Sequence, residues 1–184
     1  MFVVNYTWDL PKPSKLLPNP VVRYVFDNWE FSGVTNFSSG LPQGIGLTTT
    51  DNANITGGGD GVRAVIVGPV PLGRGDRGFS RWFNTDAFAR PARGDFGNAP
   101  IRPFRGPGIN NWDLNFAKNF PLGKEARLLQ FRCEMYNAFD HTQYQAINNT
   151  ARSDPTGKQV NGEFGQLTAT RFPRVVQLSV RVQF

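Results

Sequence analysis

The run from Gln177 to Phe184 alternates strictly, with Leu178, Val180, Val182 and Phe184 on one face and Gln177, Ser179, Arg181 and Gln183 on the other. A period of two with one apolar and one polar face is a β-strand between two different media. Two architectures satisfy it. A soluble sheet sets a core against water, whereas a membrane barrel sets lipid against a wet lumen.

Four further segments carry the same period. They are expected at about 2–9, 29–39, 111–120 and 126–139, and the terminal strand at about 174–184. Leu10-Pro11 ends the first, because proline cannot donate to a ladder. Each is roughly ten residues long, against five or six for ordinary globular strands. At about 3.3 Å per residue and a tilt near 45°, ten residues cross the apolar band of an outer membrane. Gly 20, Pro 14 and Phe 16 in 184 residues also point to an all-β chain with long loops.

The connections alternate in length. Residues 121–124 read as a tight turn, and 11–20 as a moderate, proline-rich link. About 40–110 and 140–173 are long loops. If Phe184 ends at the periplasmic side, both short connections fall on that side and both long loops fall outside. Tyr6, Trp8, Trp29, Phe120 and Phe184 then line the periplasmic rim, and Phe2, Phe37, Trp112 and Phe139 the outer rim, as two aromatic girdles. The expected fold is an antiparallel up-and-down meander of about five long strands, a partial and unclosed transmembrane barrel. A start inside a strand suggests a piece of a longer chain, with any export signal upstream.

A four-residue turn at 121–124 sets a register. It pairs Phe120 with Glu125, Asn115 with Gln130, and Asp113 with Arg132 as a lumen-facing charge pair. Lys118 falls on the apolar face near the rim, where its stem can follow apolar surface and its amine reach headgroups.

Other chemistry is thin. One Cys133 and one His141 make no zinc set, and the isolated carboxylates Asp86, Asp95, Asp140 and Glu163 lack an acid/base partner. No cofactor, metal site or catalytic constellation is expected. The net charge of +6 comes from scattered arginines (Arg63, Arg74, Arg77, Arg81, Arg90, Arg93, Arg102 and Arg105), which argues against nucleic acid. Arg74-Gly75-Asp76, the tip Gly57-Gly58-Gly59-Asp60-Gly61 and the Asn-X-Ser/Thr triplets read as plain loop or strand residues. The ligand-contact candidates are Arg81, Trp82, Phe83 and Phe88, rings among arginines that suit sugars or anionic chelates; the alternative is that they pack the loop against itself.

Several stretches together resemble a known family. They are Val4-Asn5-Tyr6-Thr7-Trp8-Asp9-Leu10-Pro11, Trp82-Phe83-Asn84-Thr85-Asp86-Ala87-Phe88, Trp112-Asp113-Leu114-Asn115-Phe116 and Leu129-Gln130-Phe131-Arg132-Cys133-Glu134-Met135-Tyr136-Asn137-Ala138-Phe139. Over nearly its whole length the chain resembles the C-terminal part of TonB-dependent outer-membrane receptors. The type is Oar-like, with an N-terminal carboxypeptidase-regulatory-like domain. The resemblance implies residence in the cell outer membrane and uptake of a bulky siderophore or glycan, driven by the TonB system through N-terminal regions missing here. It also implies about twenty-two strands around a plug. Leu178, Val180, Val182 and Phe184 would be read by the barrel-assembly machinery. Five strands alone cannot close, so the chain is expected to be a fragment that does not transport by itself. The competing reading is a soluble, secreted carbohydrate-binding or adhesive β-sandwich, in which a second sheet and not lipid covers the Phe/Val/Leu face.

Overall fold

Five long strands appear where the alternation placed them: Phe2–Asp9, Trp29–Ser38, Ile109–Pro121, Leu128–Tyr136 and Val175–Gln183. In this computed structural model the described residues are 1–51, 54–57, 61–123 and 127–184. The strands form one antiparallel sheet in chain order. Each therefore neighbours the next, as in a meander. Phe2–Asp9 and Val175–Gln183 are its two edges, and the sheet does not close.

Local chemistry sets the strand ends. The first strand stops two residues before Pro11, and the Leu10 amide makes one last bond to the Trp29 carbonyl at 2.9 Å. Asn28 and Asn137 take positive φ beside the second and fourth strands, a conformation asparagine tolerates better than most residues. The proline-rich link holds an unanticipated helix, Pro20–Phe26, with Pro20 in its first turn and Asn19 capping the Val21 amide at 2.8 Å.

The ladders are staggered. The third strand pairs with the second through residues 109–118 and with the fourth through 114–121. Such an offset is the shear that a tilted barrel sheet requires. It also corrects the expected register. Asn115 faces Glu134, not Gln130, and Ala117 faces Arg132. The closing pair is Pro121 with Leu128, followed by a bond from the Leu122 amide to the Arg127 carbonyl. The connection is thus longer than four residues, and the fourth strand slides four positions. An even slide leaves every side chain on its own face.

Asp113 and Arg132 consequently share the polar face without pairing. Asp113 accepts from the Asn137 amide and from Asn111, both at 2.9 Å, while Arg132 lies 3.6 Å from Glu134. Lys124, Glu125 and Ala126, on which the expected turn relied, lie outside the described residues, as do Gly58, Gly59 and Asp60 of the glycine-rich tip.

The chain divides into two units. The first is Met1–Ser38, Ile109–Gln143 and Phe172–Phe184; the second is Ser39–Gly108 and Tyr144–Arg171. The second gathers both long loops into one body. Short ladders join Pro42–Gln43 to Phe104–Arg105, Val65–Ile66 to Phe88–Ala89, and Tyr144–Ile147 to Leu167–Thr170. A parallel pair joins Gly46–Thr49 to Thr150–Ser153, tying one loop to the other. At the centre is Phe83, 1% exposed, with ring centroids of Phe104, Phe164 and Phe88 at 4.3, 5.2 and 5.8 Å. Ala64, Val70, Ala87, Ala99 and Ala151 fill in around the rings.

Candidate functional site

Among its described residues the first unit has no such core. Its sheet is a single layer, and on the terminal strand Leu178 and Val180 are 63% and 65% exposed. Among the described residues of this unit no second sheet covers the apolar face. The β-sandwich expectation fails here, because a sandwich buries that face against a partner sheet about 10 Å away.

Aromatic side chains order the apolar face by height. At the loop end Phe2 stacks on Phe37, Phe37 meets Trp112 edge-on at 5.7 Å, and Trp112 meets Phe139 at 5.5 Å. This is the expected outer row. At the turn end stand Trp8, Trp29 and Phe120. Tyr6, expected at that rim, instead sits opposite Gly33 with its ring 5.6 Å from Phe31, nearer mid-strand. The opposite face is polar: Asn115 donates to Ser32 at 3.0 Å and Gln130 to Asn119 at 2.8 Å. Asn36 Oδ1, Asn115 Oδ1 and Arg132 Nε on this face lack a partner within the described chain.

Lys118 does not reach outward. It is 3% exposed, its amine donates to the Asp27 carbonyl, and it lies over the Phe120 and Trp29 rings at 5.0 and 5.7 Å. Bending to a backbone oxygen between two π-faces satisfies the charge without leaving the apolar side.

The second unit carries a cleft of about 580 Å³. Trp82, Phe104, Arg77, Arg102 and Arg105 line it, with Pro42, Pro71 and Pro103 as rigid walls. Trp82 is pinned by its indole N–H, which donates to the Arg105 carbonyl at 2.8 Å, and by the Arg77 guanidinium 5.3 Å from its ring. Arg77 is oriented by the Leu72 carbonyl at 3.0 Å, and Arg105 by the Gly40 carbonyl at 3.1 Å. Arg102 has no hydrogen-bond or ion-pair partner among the described residues. Among the described residues no acidic side chain lines the cleft. Three guanidinium groups beside a fixed indole can hold an anionic or aromatic ligand by paired hydrogen bonds and stacking.

The four expected contact residues fall in different places. Phe83 and Phe88 are both buried in the core of the loop body, as the loop-packing alternative has it. Arg81 is on the surface and binds Asp86 and Asn84 at 2.8 and 2.6 Å. Of the four expected residues, Trp82 and Phe83 border the cleft, Phe83 as a buried ring beneath it. Arg77, Arg102 and Arg105 were legible as arginines, but only the short ladder between Pro42–Gln43 and Phe104–Arg105 reveals their convergence.

Elsewhere in the second unit Arg90 binds Asp51 at 3.0 Å and the Asp154 carbonyl at 2.7 Å. The Arg90 hydrogen bond holds the Asp51 carboxyl below its ordinary range, and the Thr156 hydroxyl does the same for Asp154. Among the described residues no group of three or more His, Cys, Asp or Glu could hold a metal, and no helix is long and apolar enough to cross a membrane.

Comparison with known proteins agrees with this geometry. The model of a family described as an outer membrane beta barrel domain matches residues 1–177. No curated protein and no solved structure matches the chain.

Proposed function

The chain belongs to the outer membrane beta barrel domain family, and from that premise we propose that it supplies the last strands and loops of an Oar-like TonB-dependent receptor for a bulky ligand. Residence in the outer membrane follows from the family. The apolar face then looks at hydrocarbon and the polar face at the lumen. The receptor reading adds that further strands complete the barrel on both open edges, and that the long loops lie outside the cell. It assigns the chain no catalytic step. Leu178, Val180, Val182 and Phe184 act as the assembly signal.

One observation carries the reading: the loops are not loose tips but build a cored body with an arginine–tryptophan cleft. A barrel that served only as an anchor has no need of one. The cleft favours an anionic chelate of the siderophore class, with a glycan as the alternative that stacks on Trp82.

The test is uptake by cells carrying the native protein, with a ferric catecholate and a neutral oligosaccharide as probes. Ferric catecholate accumulation that disappears on deletion of TonB is the expected result. Arg102→Ala is expected to weaken its binding about tenfold, as for a lost charge-assisted contact. Accumulation indifferent to TonB would overturn the transport assignment. Oligosaccharide uptake with none of the chelate would move the ligand to the glycan class.

A further inference from the structure

A second concave surface lies at the turn end of the sheet, on its apolar side. Tyr24 and Val25 of the helix Pro20–Phe26 form one wall of a groove of about 490 Å³, and Trp29, Phe120, Phe131 and Val180 form much of the rest. Beside it opens a cleft of about 600 Å³ that shares Tyr24 and Phe120 but is lined also by Arg23, Asn19, Ser14 and Asn119. An apolar slot thus runs into a polar, basic mouth.

We propose that these two cavities together bind one anionic phospholipid, its acyl chain in the groove and its phosphate at Arg23. The inference rests on membership of the barrel family and not on the receptor reading.

Three observations select this occupant. First, the groove is on the face that meets hydrocarbon in a barrel, and strands added at the open edges extend the sheet sideways without covering that face. Second, among the described residues Arg23 is the one charged side chain lining the mouth, and the segment that carries it has a net positive charge complementary to a phosphate. Residues 12–27 contain Lys12, Lys15 and Arg23 against the single acid Asp27. Asp27 is already engaged by the Ser14 amide at 3.1 Å and by the Ser14 hydroxyl, which holds its carboxyl below the ordinary range. Arg23 is exposed and has no side-chain partner among the described residues. Third, the same segment exposes Leu16, Leu17, Val21, Val25 and Phe26. Apolar side chains interleaved with cations describe a segment lying in a headgroup layer.

The segment is also held in place. The Trp29 indole donates to the Val25 carbonyl at 2.9 Å, Tyr24 lies 5.2 Å from Phe120, and the Lys118 amine donates to the Asp27 carbonyl. The groove is therefore formed before lipid arrives, which removes part of the ordering cost of binding.

The experiment uses the native protein reconstituted into vesicles of phosphatidylethanolamine with or without phosphatidylglycerol, then released for native mass spectrometry. Retained phosphatidylglycerol in preference to phosphatidylethanolamine is the expected result. Arg23→Gln should lower that preference about fivefold and Arg23→Lys should restore most of it, since one cation near a headgroup layer has an effect of that order. Val180→Trp, which fills the groove, should lower retention of both lipids. Equal retention by wild type and Arg23→Gln would overturn the proposal, as would displacement of the lipid by inorganic phosphate, or a second protein copy in place of lipid. Arg23 is remote in sequence from the arginine–tryptophan cleft, and ligand uptake should be unchanged in Arg23→Gln. Failure of the lipid site and failure of the receptor reading are thus told apart.

Discussion

The two units use the same residue type in opposite ways. In the loop body Phe83, Phe88, Phe104 and Phe164 point inward, and Phe83 touches the other three rings. In the sheet, rings and branched aliphatic side chains line an open face, and the charged Lys118 is among the most buried residues. A chain in water hides its apolar groups from solvent. The loop body obeys that rule by itself. The sheet obeys it only if the medium on one side is hydrocarbon. Apolar content cannot separate the two cases; where the apolar atoms point does.

The widest break in this contrast comes from Phe83→Ala. Removing a phenylalanine ring from a sealed core costs about 3–5 kcal/mol. Hydrogen exchange should show faster amides in the loop body, such as Trp82 bonded to Gly165 and Ala99 bonded to Ala64. Amides of the long strands should keep their protection. If strand amides accelerate equally, the units are not energetically distinct.

The sheet is tested by two neighbours on its last strand. Leu178 is on the apolar face, and Gln177 is on the polar face opposite Glu134. Leu178→Arg should cost about 2–4 kcal/mol in lipid if it lies near the midplane, and less toward either interface. Gln177→Arg should stay within about 0.5 kcal/mol. Urea unfolding of the native protein in vesicles reads both. Equal losses would mean that the two faces meet the same medium.

A subtler break is Gly33→Ala. A Cβ there would lie 2.7 Å from both the Asp113 carbonyl oxygen and the Tyr6 hydroxyl. The Tyr6 ring is laid across the glycine, and its hydroxyl is 3.3 Å from Thr35 Oγ1. Forcing a methyl between a ring and a neighbouring strand costs about 1–3 kcal/mol. Tyr6→Ala should relieve the ring's share of that loss in the double variant and leave the share set by the Asp113 carbonyl oxygen. No relief would place the strain in the backbone alone.

The strands were legible because alternation is a local signal and each strand is long enough to repeat it four or five times. The register was not, because it depends on the length of the turn between Phe120 and Leu129, and an even slide costs nothing in face pattern. The helix Pro20–Phe26 was hidden because seven residues that follow a proline-rich run make only about two turns, too few for a helical period to stand out. The loop body was hidden for a different reason. Its ladders are two to four residues long and join positions far apart in sequence, so nothing periodic marks Phe83 as a core residue or draws Arg77, Arg102 and Arg105 together. Gly97 shows the same limit: with φ at +74° and a Cβ that would meet the Arg63 carbonyl oxygen at 1.9 Å, it permits a close crossing of loop segments that only tertiary structure reveals.

The smallest expected effect concerns acid, and it should be confined to the loop body. Asp51 is paired with Arg90, which also bonds the Asp154 carbonyl across the loops. The folded Asp51 carboxyl titrates below its ordinary value of 3.8, chiefly through the Arg90 hydrogen bond, with lesser help from Thr49 and its own backbone amide against the cost of partial burial. A folded-state value below the unfolded one means that folding favours the ionised form. The stabilisation is complete above the unfolded value and is lost as pH falls through the folded one. The loop body should therefore hold constant protection from about pH 7 to about pH 5 and weaken only below about pH 4. Asp51→Asn removes this pair and should flatten the acid limb without abolishing it, because Asp154 is depressed in the same direction by Thr156. Protease nicking of the loops across that range reads the effect, with strand protection as the internal reference. An acid limb of equal size in Asp51→Asn and wild type would remove the Asp51–Arg90 pair from the account and leave Asp154 to carry it.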